Sequence, residues 1–371
     1  MTANAEILND IFEHLHSNPE LSWEETETTA WLKSFIESRG VSARTFDDCT
    51  GLTAEIGQGH PVVAVRADID ALWQEVNGTF QANHSCGHDA HMTIVLGTFL
   101  ELLENRDQLQ GTVRFIFQPA EEKGTGALKM VEKGVVDDAD YLFGMHLRPH
   151  QELGSGEFAP AISHGAARLI QGTIRGEDAH GARPHLNTNA VQVGAELVMA
   201  INGMHFDPMV PQSMKVTGFQ AGGKSANIIP GNAAFTVDAR AQTNEVMDSM
   251  ISKFDRMIRM IADFHEIDIT TEIKADMPAA VLNEEAAVVM EAGIQGALGS
   301  DACRPAIVTT GGDDFHFYTI KRPQVKATML AIGCGLSPGL HHPDMTFDRS
   351  AIPDAVKVMS CAVMRALEKN N

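Results

Sequence analysis

The chain has 371 residues, of which 44% are hydrophobic and 6% aromatic, a composition typical of a soluble globular protein with two domains. Its formal net charge of −21 argues against nucleic acid or an anionic membrane as a partner, since both require a basic face. No secretory signal and no apolar run of the roughly 18 residues that span a bilayer are visible. The five scattered cysteines fit free thiols in a reducing compartment. We therefore expect a cytoplasmic protein without a nucleic-acid or membrane partner.

The chain begins with predicted helices followed by strands. Ser22 and Glu25 have the spacing of a capping box, which would start the second helix. The later run 61–67 is apolar almost throughout, as expected of a strand that is buried on both faces. It ends at Asp68 and Asp70, and carboxylates at the end of a buried strand are more often functional than structural.

The segment from His84 to His91 contains a thiol, three imidazoles and a carboxylate. Cys86 and His88 are separated by Gly87, and a strand or tight loop with that spacing can turn both donors toward one ion. Thiolate and imidazole suit zinc and similar divalent transition metals. Taken alone, the segment fits equally well a buried free cysteine beside surface histidines.

Further strands alternate with helices and end in polar residues. A helical segment at 92–103 precedes a strand at 112–117, which leads into Glu121 and Glu122, and another apolar segment ends in His146. This alternation predicts an open α/β sheet whose ligand site lies at the carboxyl ends of the strands.

From residue 167 the predicted order becomes β-α-β-β-α-β, which is the split βαβ sandwich. The fold class is therefore α/β, an open mixed sheet flanked by helices, with an inserted α+β lid. The predicted domains are 1–166 and 280–371, forming the two parts of a catalytic domain, and 167–279, forming a lid and dimerisation domain. Within the lid, the helix at 244–264 has an apolar stripe that fits core packing, although an oligomer interface would look the same.

The segment from Gly218 to Ser225 matches the phosphate-binding pattern GxxxxGK[ST]. That motif functions only when the loop opens a helix whose first N–H groups face the phosphates. Pro230 and Gly231 follow too closely for such a helix, so we do not expect nucleotide binding.

Five candidate metal ligands follow strand-like segments or lie in loops after them. Five donors are too many for one tetrahedral ion and favour two ions that share a site. Glu121 and Glu122 are adjacent, so in extended backbone they point to opposite sides, and one can bind metal while the other acts as a general base. Each histidine considered singly fits a surface or capping role. The five candidates are Cys86, His88, Glu122, His146 and His341.

Seven stretches, distributed nearly end to end, resemble a known family. They are His16–Ser22, Arg66–Leu72, His84–His91, Gln118–Glu122, Gly144–Leu147, Ala179–His185 and Ala226–Pro230. The chain resembles the N-acyl-amino-acid amidohydrolase branch of the di-metal carboxypeptidase and aminoacylase family, which includes auxin-conjugate hydrolases and bacterial N-acetyl-amino-acid deacylases. The resemblance implies a zinc-peptidase-like catalytic domain.

The resemblance also implies roles for individual residues. The five candidate ligands would bind two divalent ions (zinc, manganese or cobalt), and Glu121 would be the general base. His180, on the lid, would donate a hydrogen bond to the oxyanion in its own or a neighbouring subunit. Asn227 would line the substrate pocket. Beyond the resemblance, we expect Arg240 to bind substrate as well, and Asp70 to orient a metal-bound group in the mechanism.

The predicted activity is hydrolysis of the amide bond of N-acyl amino acids or related small conjugates by metal-activated water. The alternatives are a dipeptidase or carboxypeptidase of the same fold, and a catalytically inactive metal-binding protein. The resemblance also allows a homodimer formed through the lid, and the sequence does not decide the oligomeric state.

Two positions depart from the family pattern. Trp73 stands where relatives usually have proline, so acyl specificity cannot be carried over from them. His342 follows His341 where relatives have a small residue, which makes His342 a rival for the ligand role.

Overall fold

The computed structural model describes residues 5–368. In that range the helices are α1 (Ala5–Ser17), α2 (Thr26–Glu37), α3 (His88–Glu104), α4 (Gly126–Glu132), α5 (Ala190–Asn202), α6 (Asn244–His265), α7 (Glu284–Leu298), α8 (His316–Lys321) and α9 (Ala351–Glu368). The strands are β1 (Ala43–Thr45), β2 (Leu52–Gly57), β3 (Val62–Asp68), β4 (Leu72–Val76), β5 (Thr79–Asn83), β6 (Thr112–Gln118), β7 (Tyr141–Pro149), β8 (Phe158–Ala159), β9 (Ile162–His164), β10 (Ala166–Arg175), β11 (Ala179–His180), β12 (Gln212–Ala221), β13 (Ile228–Ile229), β14 (Ala233–Ala241), β15 (Asp268–Met277), β16 (Ile307–Thr309) and β17 (Lys326–Leu336).

The chain folds into two compact units. The first comprises 5–163, Val281–Val308 and 314–368, and the second comprises His164–Ala280 with Thr309–Asp313. The short segment Thr309–Asp313 therefore belongs with residues far from it in the chain, a grouping that no local sequence signal indicates.

A seven-stranded mixed sheet forms the centre of the first unit, in the order β1-β2-β6-β3-β7-β17-β8. The four central strands β6, β3, β7 and β17 are parallel to one another, and antiparallel pairs extend the sheet on both sides. Every residue of β3 is buried, because alternate side chains enter hydrophobic cores on opposite faces. Helices α1, α2, α3, α7 and α9 cover one core, and α4 and α8 cover the other. The predicted open α/β sheet is confirmed.

The second unit contains an antiparallel sheet of four strands in the order β12-β14-β10-β15, against which α5 and α6 pack. Its β-α-β-β-α-β order is the predicted one, with the short pair β11 and β13 added. The apolar stripe of α6 is buried in the core of this unit, at Met247, Met250, Phe254, Ile258 and Ile261. Core packing therefore accounts for that stripe.

After Ser225 the chain passes into β13 and β14, with no helix between them. The loop with the phosphate-binding pattern therefore lacks the helix N-terminus that the motif requires, as predicted. Among residues 5–368, no helix combines the length and apolar character that a bilayer crossing requires.

The predicted capping box at Ser22 and Glu25 is wrong. Helix α2 begins at Thr26, and the carboxylate of Glu20 accepts from the backbone N–H groups of Glu27 and Thr28, at 3.1 and 2.7 Å. Because a glutamate from the preceding segment satisfies these N–H groups, the side chains of Ser22 and Glu25 are available for contacts elsewhere.

The hairpin formed by β4 and β5 was not predicted from the sequence. Its turn is Asn77-Gly78, with φ angles of 52° and 80°. Two consecutive residues with positive φ are typical of the type I′ turn, and Asn-Gly is its strongest signature. The signal was therefore present in the dipeptide.

Candidate metal centre and active site

The metal-ligand candidates nearest the start of the chain lie where α3 begins. Gly87 has a φ of 90°, which turns the chain between Cys86 and His88, and His88 is the first residue of α3. A Cβ atom at Gly87 would lie 2.8 Å from Leu147 Cδ1, so a larger residue would have to displace the Leu147 side chain in addition to adopting this backbone conformation. The expected tight turn is present, but His88 stands on a helix rather than in a loop or strand.

We expect Gly87→Ala to destabilise the protein by about 1–2 kcal/mol through the left-handed backbone and by about 1–3 kcal/mol more through overpacking against Leu147. Gly40 is a matched control, because its φ is 77° and no atom lies within 4 Å of a Cβ placed there. Gly40→Ala should show only the backbone effect. Equal losses in urea unfolding for the two variants would contradict the role of the Leu147 contact.

Two buried histidines are oriented by hydrogen bonds to carbonyl groups. His88 Nδ1 donates to the backbone carbonyl of Asp70 at 2.8 Å, and His146 Nδ1 donates to the carbonyl of Leu147 at 2.7 Å. A carbonyl only accepts, so the proton is on Nδ1 and the lone pair is on Nε2 in each neutral ring. Both rings are thus prepared to bind a metal through Nε2.

The donor atoms of the five candidate ligands lie close together. Cys86 Sγ is 3.3 Å from His341 Nε2 and 3.6 Å from His146 Nε2. Glu122 Oε1 is 3.4 Å from His341 Nε2 and 3.9 Å from His88 Nε2. Atoms bound to one ion at about 2.0–2.3 Å are separated by roughly 3–4 Å, so these distances suit shared metal ions.

Two of these donor atoms are buried without a hydrogen-bond partner, namely His88 Nε2 and Glu122 Oε1. Buried polar atoms without a partner are unfavourable and rare in folded proteins. Divalent ions would satisfy both atoms, and the mixture of thiolate, imidazole and carboxylate is a transition-metal donor set. The residues therefore fit a metal centre.

Glu121 and Glu122 do not point to opposite sides, contrary to the sequence-based expectation. They lie in a turn that follows Ala120, whose φ is 51°, rather than in extended backbone. As a result, Glu121 Oε2 and Glu122 Oε1 both lie 3.9 Å from His88 Nε2. Glu121 Oε1 also accepts from the backbone N–H of Asp314, at 3.4 Å.

The buried carboxylate of Asp70 holds this turn in place. It accepts from the backbone N–H groups of Glu121 and Glu122, at 3.1 and 3.0 Å, and from Ser22 Oγ at 2.6 Å. Burial alone would raise the pKa of Asp70, but hydrogen bonds from His88 and Ser22 outweigh that effect and hold it below its usual value. Asp70 is thus an anionic support shared by His88 and both glutamates.

Glu25 supports the same turn through Ala120. Its Oε1 accepts from the backbone N–H of Ala120 at 2.8 Å, and its Oε2 accepts from Thr50 Oγ1 at 2.6 Å. Burial raises the pKa of Glu25 above its usual value, with the hydrogen bond from Thr50 acting in the opposite direction. Ser22 and Glu25 therefore face the site instead of capping α2.

Both ring nitrogens of His91 form hydrogen bonds within the protein. Its Nε2 accepts from the backbone N–H of Leu147 at 3.1 Å, so its Nδ1 carries the proton and donates to Asp68 Oδ1 at 2.7 Å. His91 therefore has no nitrogen lone pair left for a metal, although it lies near His88. Asp68, one of the two carboxylates expected at the end of the buried strand, thus orients His91, a role that the sequence did not specify.

A buried ionic network lies next to the site. The guanidinium of Arg66 donates to Asp68, to Asp314 at 2.9 Å and to Gln118 at 2.8 Å. Asp314 also accepts from the backbone N–H of Ala127 at 2.8 Å. Arg66 and Asp314 are 248 positions apart, and no sequence signal indicates that they pair.

The two neighbouring histidines near the end of the chain differ in orientation. His341 has a φ of 63° and directs Nε2 at Cys86 and Glu122. His342 Nδ1 accepts from the backbone N–H of Asp344, at 3.1 Å, and this side chain is exposed. The donor cluster described above thus includes His341 rather than His342.

The other three predicted site residues lie in the second unit. His180 is exposed, its Nδ1 accepts from the backbone N–H of Ala182 at 3.0 Å, and the adjacent Gly181 N–H donates to the carbonyl of Asn227 at 2.7 Å. His180 and Asn227 therefore lie on neighbouring segments. Arg240 is on β14, where its Nε donates to Asp238 Oδ1 at 3.0 Å.

The match to known families agrees with this arrangement. Residues 64–365 match the model of the peptidase family M20/M25/M40. The chain belongs to the M20 peptidase family. It is accordingly a metal-dependent amide hydrolase.

Individual M20 relatives cover most of the chain. It is 31% identical over 376 residues to N-acetyl-L-cysteine deacetylase of Bacillus subtilis, covering 96% of this chain and 87% of that protein. It is 30% identical over 333 residues to IAA-amino acid hydrolase ILR1-like 4 of Arabidopsis thaliana, covering 84% and 75% of the two chains.

A solved M20 structure shows the same fold. The YXEP protein of Bacillus subtilis, described as a dinuclear metal-binding peptidase, superposes with a TM-score of 0.81 at 26% identity and covers 98% of both chains. The donor groups clustered in the present chain agree with the dinuclear metal binding of the M20 family.

Proposed function

We propose that this M20 hydrolase cleaves the amide bond of N-acyl amino acids or related small conjugates. The observation that carries the proposal is the clustering of five metal donors beside a further carboxylate, Glu121. The relatives named as an N-acetyl-L-cysteine deacetylase and an IAA-amino acid hydrolase support a small N-acylated substrate.

In the proposed mechanism, Cys86, His88, Glu122, His146 and His341 hold two divalent ions, which are zinc, manganese or cobalt. These ions would polarise the scissile carbonyl and lower the pKa of the attacking water. Glu121 takes the proton from that water and passes it to the leaving amine. Asp70 and the backbone N–H of Asp314 keep the Glu121 carboxylate oriented for both transfers.

The second unit supplies the remaining groups in this proposal. His180 donates a hydrogen bond to the developing oxyanion, and Asn227 and Arg240 bind the substrate. The unit acts as a lid, and a homodimer through it would allow His180 to serve the neighbouring subunit. The exposure of His180 and the closeness of its segment to that of Asn227 support this assignment. We also retain a cytoplasmic location, supported by the five unpaired cysteines.

A substrate panel on protein of measured metal content tests the proposal. Protein loaded separately with Zn²⁺, Mn²⁺ or Co²⁺ is assayed with acetylated amino acids and with dipeptides of the same C-terminal residue. We expect turnover of the acetylated compounds with a higher kcat/KM than for the dipeptides, and none after chelation. A preference for the dipeptides would instead favour a dipeptidase, and no turnover of either class would favour an inactive metal-binding protein.

A further inference from the structure

His341 differs from its neighbours in the metal centre in exposure and backbone conformation. Its side chain is 53% exposed, whereas Cys86, His88 and His146 are buried. Its φ of 63° lies in the left-handed region, which costs a residue other than glycine about 1–2 kcal/mol. Such a conformation persists only where the surroundings hold it, so other residues must position this ligand.

Hydrogen bonds hold both backbone groups of His341. Its N–H donates to the carbonyl of Ser85 at 2.8 Å, and its carbonyl accepts from Gln74 Nε2 at 2.7 Å. Ser85 directly precedes the ligand Cys86 in the chain. The backbone of one ligand is therefore tied to the segment that carries another.

The amide oxygen of Gln74 is also held by hydrogen bonds. Its Oε1 accepts from Ser85 Oγ at 2.7 Å and from Asn83 Nδ2 at 3.1 Å. Asn83 Nδ2 also donates to the carbonyl of Pro343 at 3.0 Å, two residues beyond His341. We refer to Gln74, Asn83 and Ser85 together as the Gln74 clamp.

The register of the hairpin formed by β4 and β5 determines the positions of Gln74 and Asn83 relative to each other. The turn at Asn77-Gly78 pairs Gln74 with Gln81 and Leu72 with Asn83, and β5 ends at Asn83, two residues before Ser85. A strand register that is set by a tight turn leaves Gln74 little freedom to move along the chain.

We propose that Gln74 is a positioning residue of the metal centre, which holds His341 beside Cys86 and Glu122 through the hydrogen bond to its backbone carbonyl. This inference rests on the proposed role of His341 as a metal ligand. Without the clamp, the half-exposed His341 would have to be fixed in its binding position at the moment when the ion binds, which lowers the affinity for the ion. Loss of a residue that orients a ligand typically weakens metal affinity by about 10–100-fold.

Calorimetric titration of the metal-stripped full chain with Zn²⁺ tests the inference. We expect Gln74→Leu to retain one tight ion and to bind the other about 10–100-fold more weakly than the parent. Gln81→Leu is the matched control, because Gln81 is the same residue type directly opposite in the hairpin, is exposed and lies outside the clamp. It should bind both ions like the parent. Gln74→Met provides a second, unbranched replacement if the leucine variant does not fold.

A double-mutant cycle separates positioning from a merely structural role. His341→Ala should weaken one ion, and adding Gln74→Leu to it should cause no further loss, because the clamp acts through His341. Additive losses, or parental affinity in Gln74→Leu, would overturn the inference alone. If the parent binds no pair of ions, or if His341→Ala binds both ions normally, the proposed metal assignment fails and the inference fails with it.

Discussion

Glu121→Gln is expected to lower kcat for an N-acylated amino acid by about 10²–10⁴-fold while both ions stay bound. Glutamine keeps the shape of glutamate and can still accept the hydrogen bond from the backbone N–H of Asp314. It cannot take a proton from water at neutral pH, so only the transfer step is lost. The measurement compares kcat and metal content in the variant and the parent.

Glu24→Gln is the control for Glu121→Gln, because Glu24 is an exposed glutamate in the same unit. It should retain parental activity and two ions. An active Glu121→Gln enzyme would exclude Glu121 as the general base. A variant that loses an ion would show instead that Glu121 acts as a ligand, which its distance of 3.9 Å from His88 Nε2 makes a meaningful alternative.

Arg66→Leu is expected to lower the free energy of unfolding by about 3–5 kcal/mol. The guanidinium of Arg66 is completely buried and pairs with Asp68 and Asp314, which are also completely buried. Removing the cation leaves two buried carboxylates that keep hydrogen bonds from His91 and from the Ala127 N–H but lose their shared guanidinium, and desolvation of a charge that has lost its partner is costly. Urea unfolding with excess chelator isolates this effect from metal binding.

The three tryptophans, Trp23, Trp31 and Trp73, all lie in the first unit, so their fluorescence reports the unfolding of that unit. Arg322→Leu is the control, since Arg322 pairs with Asp137 at the surface, where ion pairs contribute about 1 kcal/mol or less. If Arg66→Leu were no more destabilising than this control, the buried network would contribute little to stability.

Arg66 and Glu121 are connected through Asp314. Asp314 accepts from Arg66 through its carboxylate and donates to Glu121 through its backbone N–H. The network that stabilises the carboxyl end of β3 therefore also orients the proposed base. A substitution at Arg66 is expected to affect activity through this connection, even in protein that remains folded.

Part of the candidate centre could be predicted from the sequence because some of its information is local, whereas the complete ligand set rested on the family resemblance. The turn at Gly87 brings Cys86 and His88 together within three residues. The apolar pattern of residues 61–67 predicts a buried strand, and the sequence shows the carboxylates at its end. The parallel part of the mixed sheet followed from the alternation of strands and helices, since parallel neighbours require such crossovers. The roles carried over for His180, Asn227 and Arg240 stay predictions.

Only the tertiary structure decided which partner each of these groups acquired. Glu20 instead of Ser22 caps α2, and a turn rather than extended backbone places both Glu121 and Glu122 near His88. The pairs Arg66–Asp314 and Gln74–His341 join residues 248 and 267 positions apart. Local propensity determines where helices, strands and turns form, because it depends on neighbours in the chain. Hydrogen-bond and ion-pair partners depend instead on which distant groups the folded sheet brings within about 3 Å, and no local pattern encodes that choice.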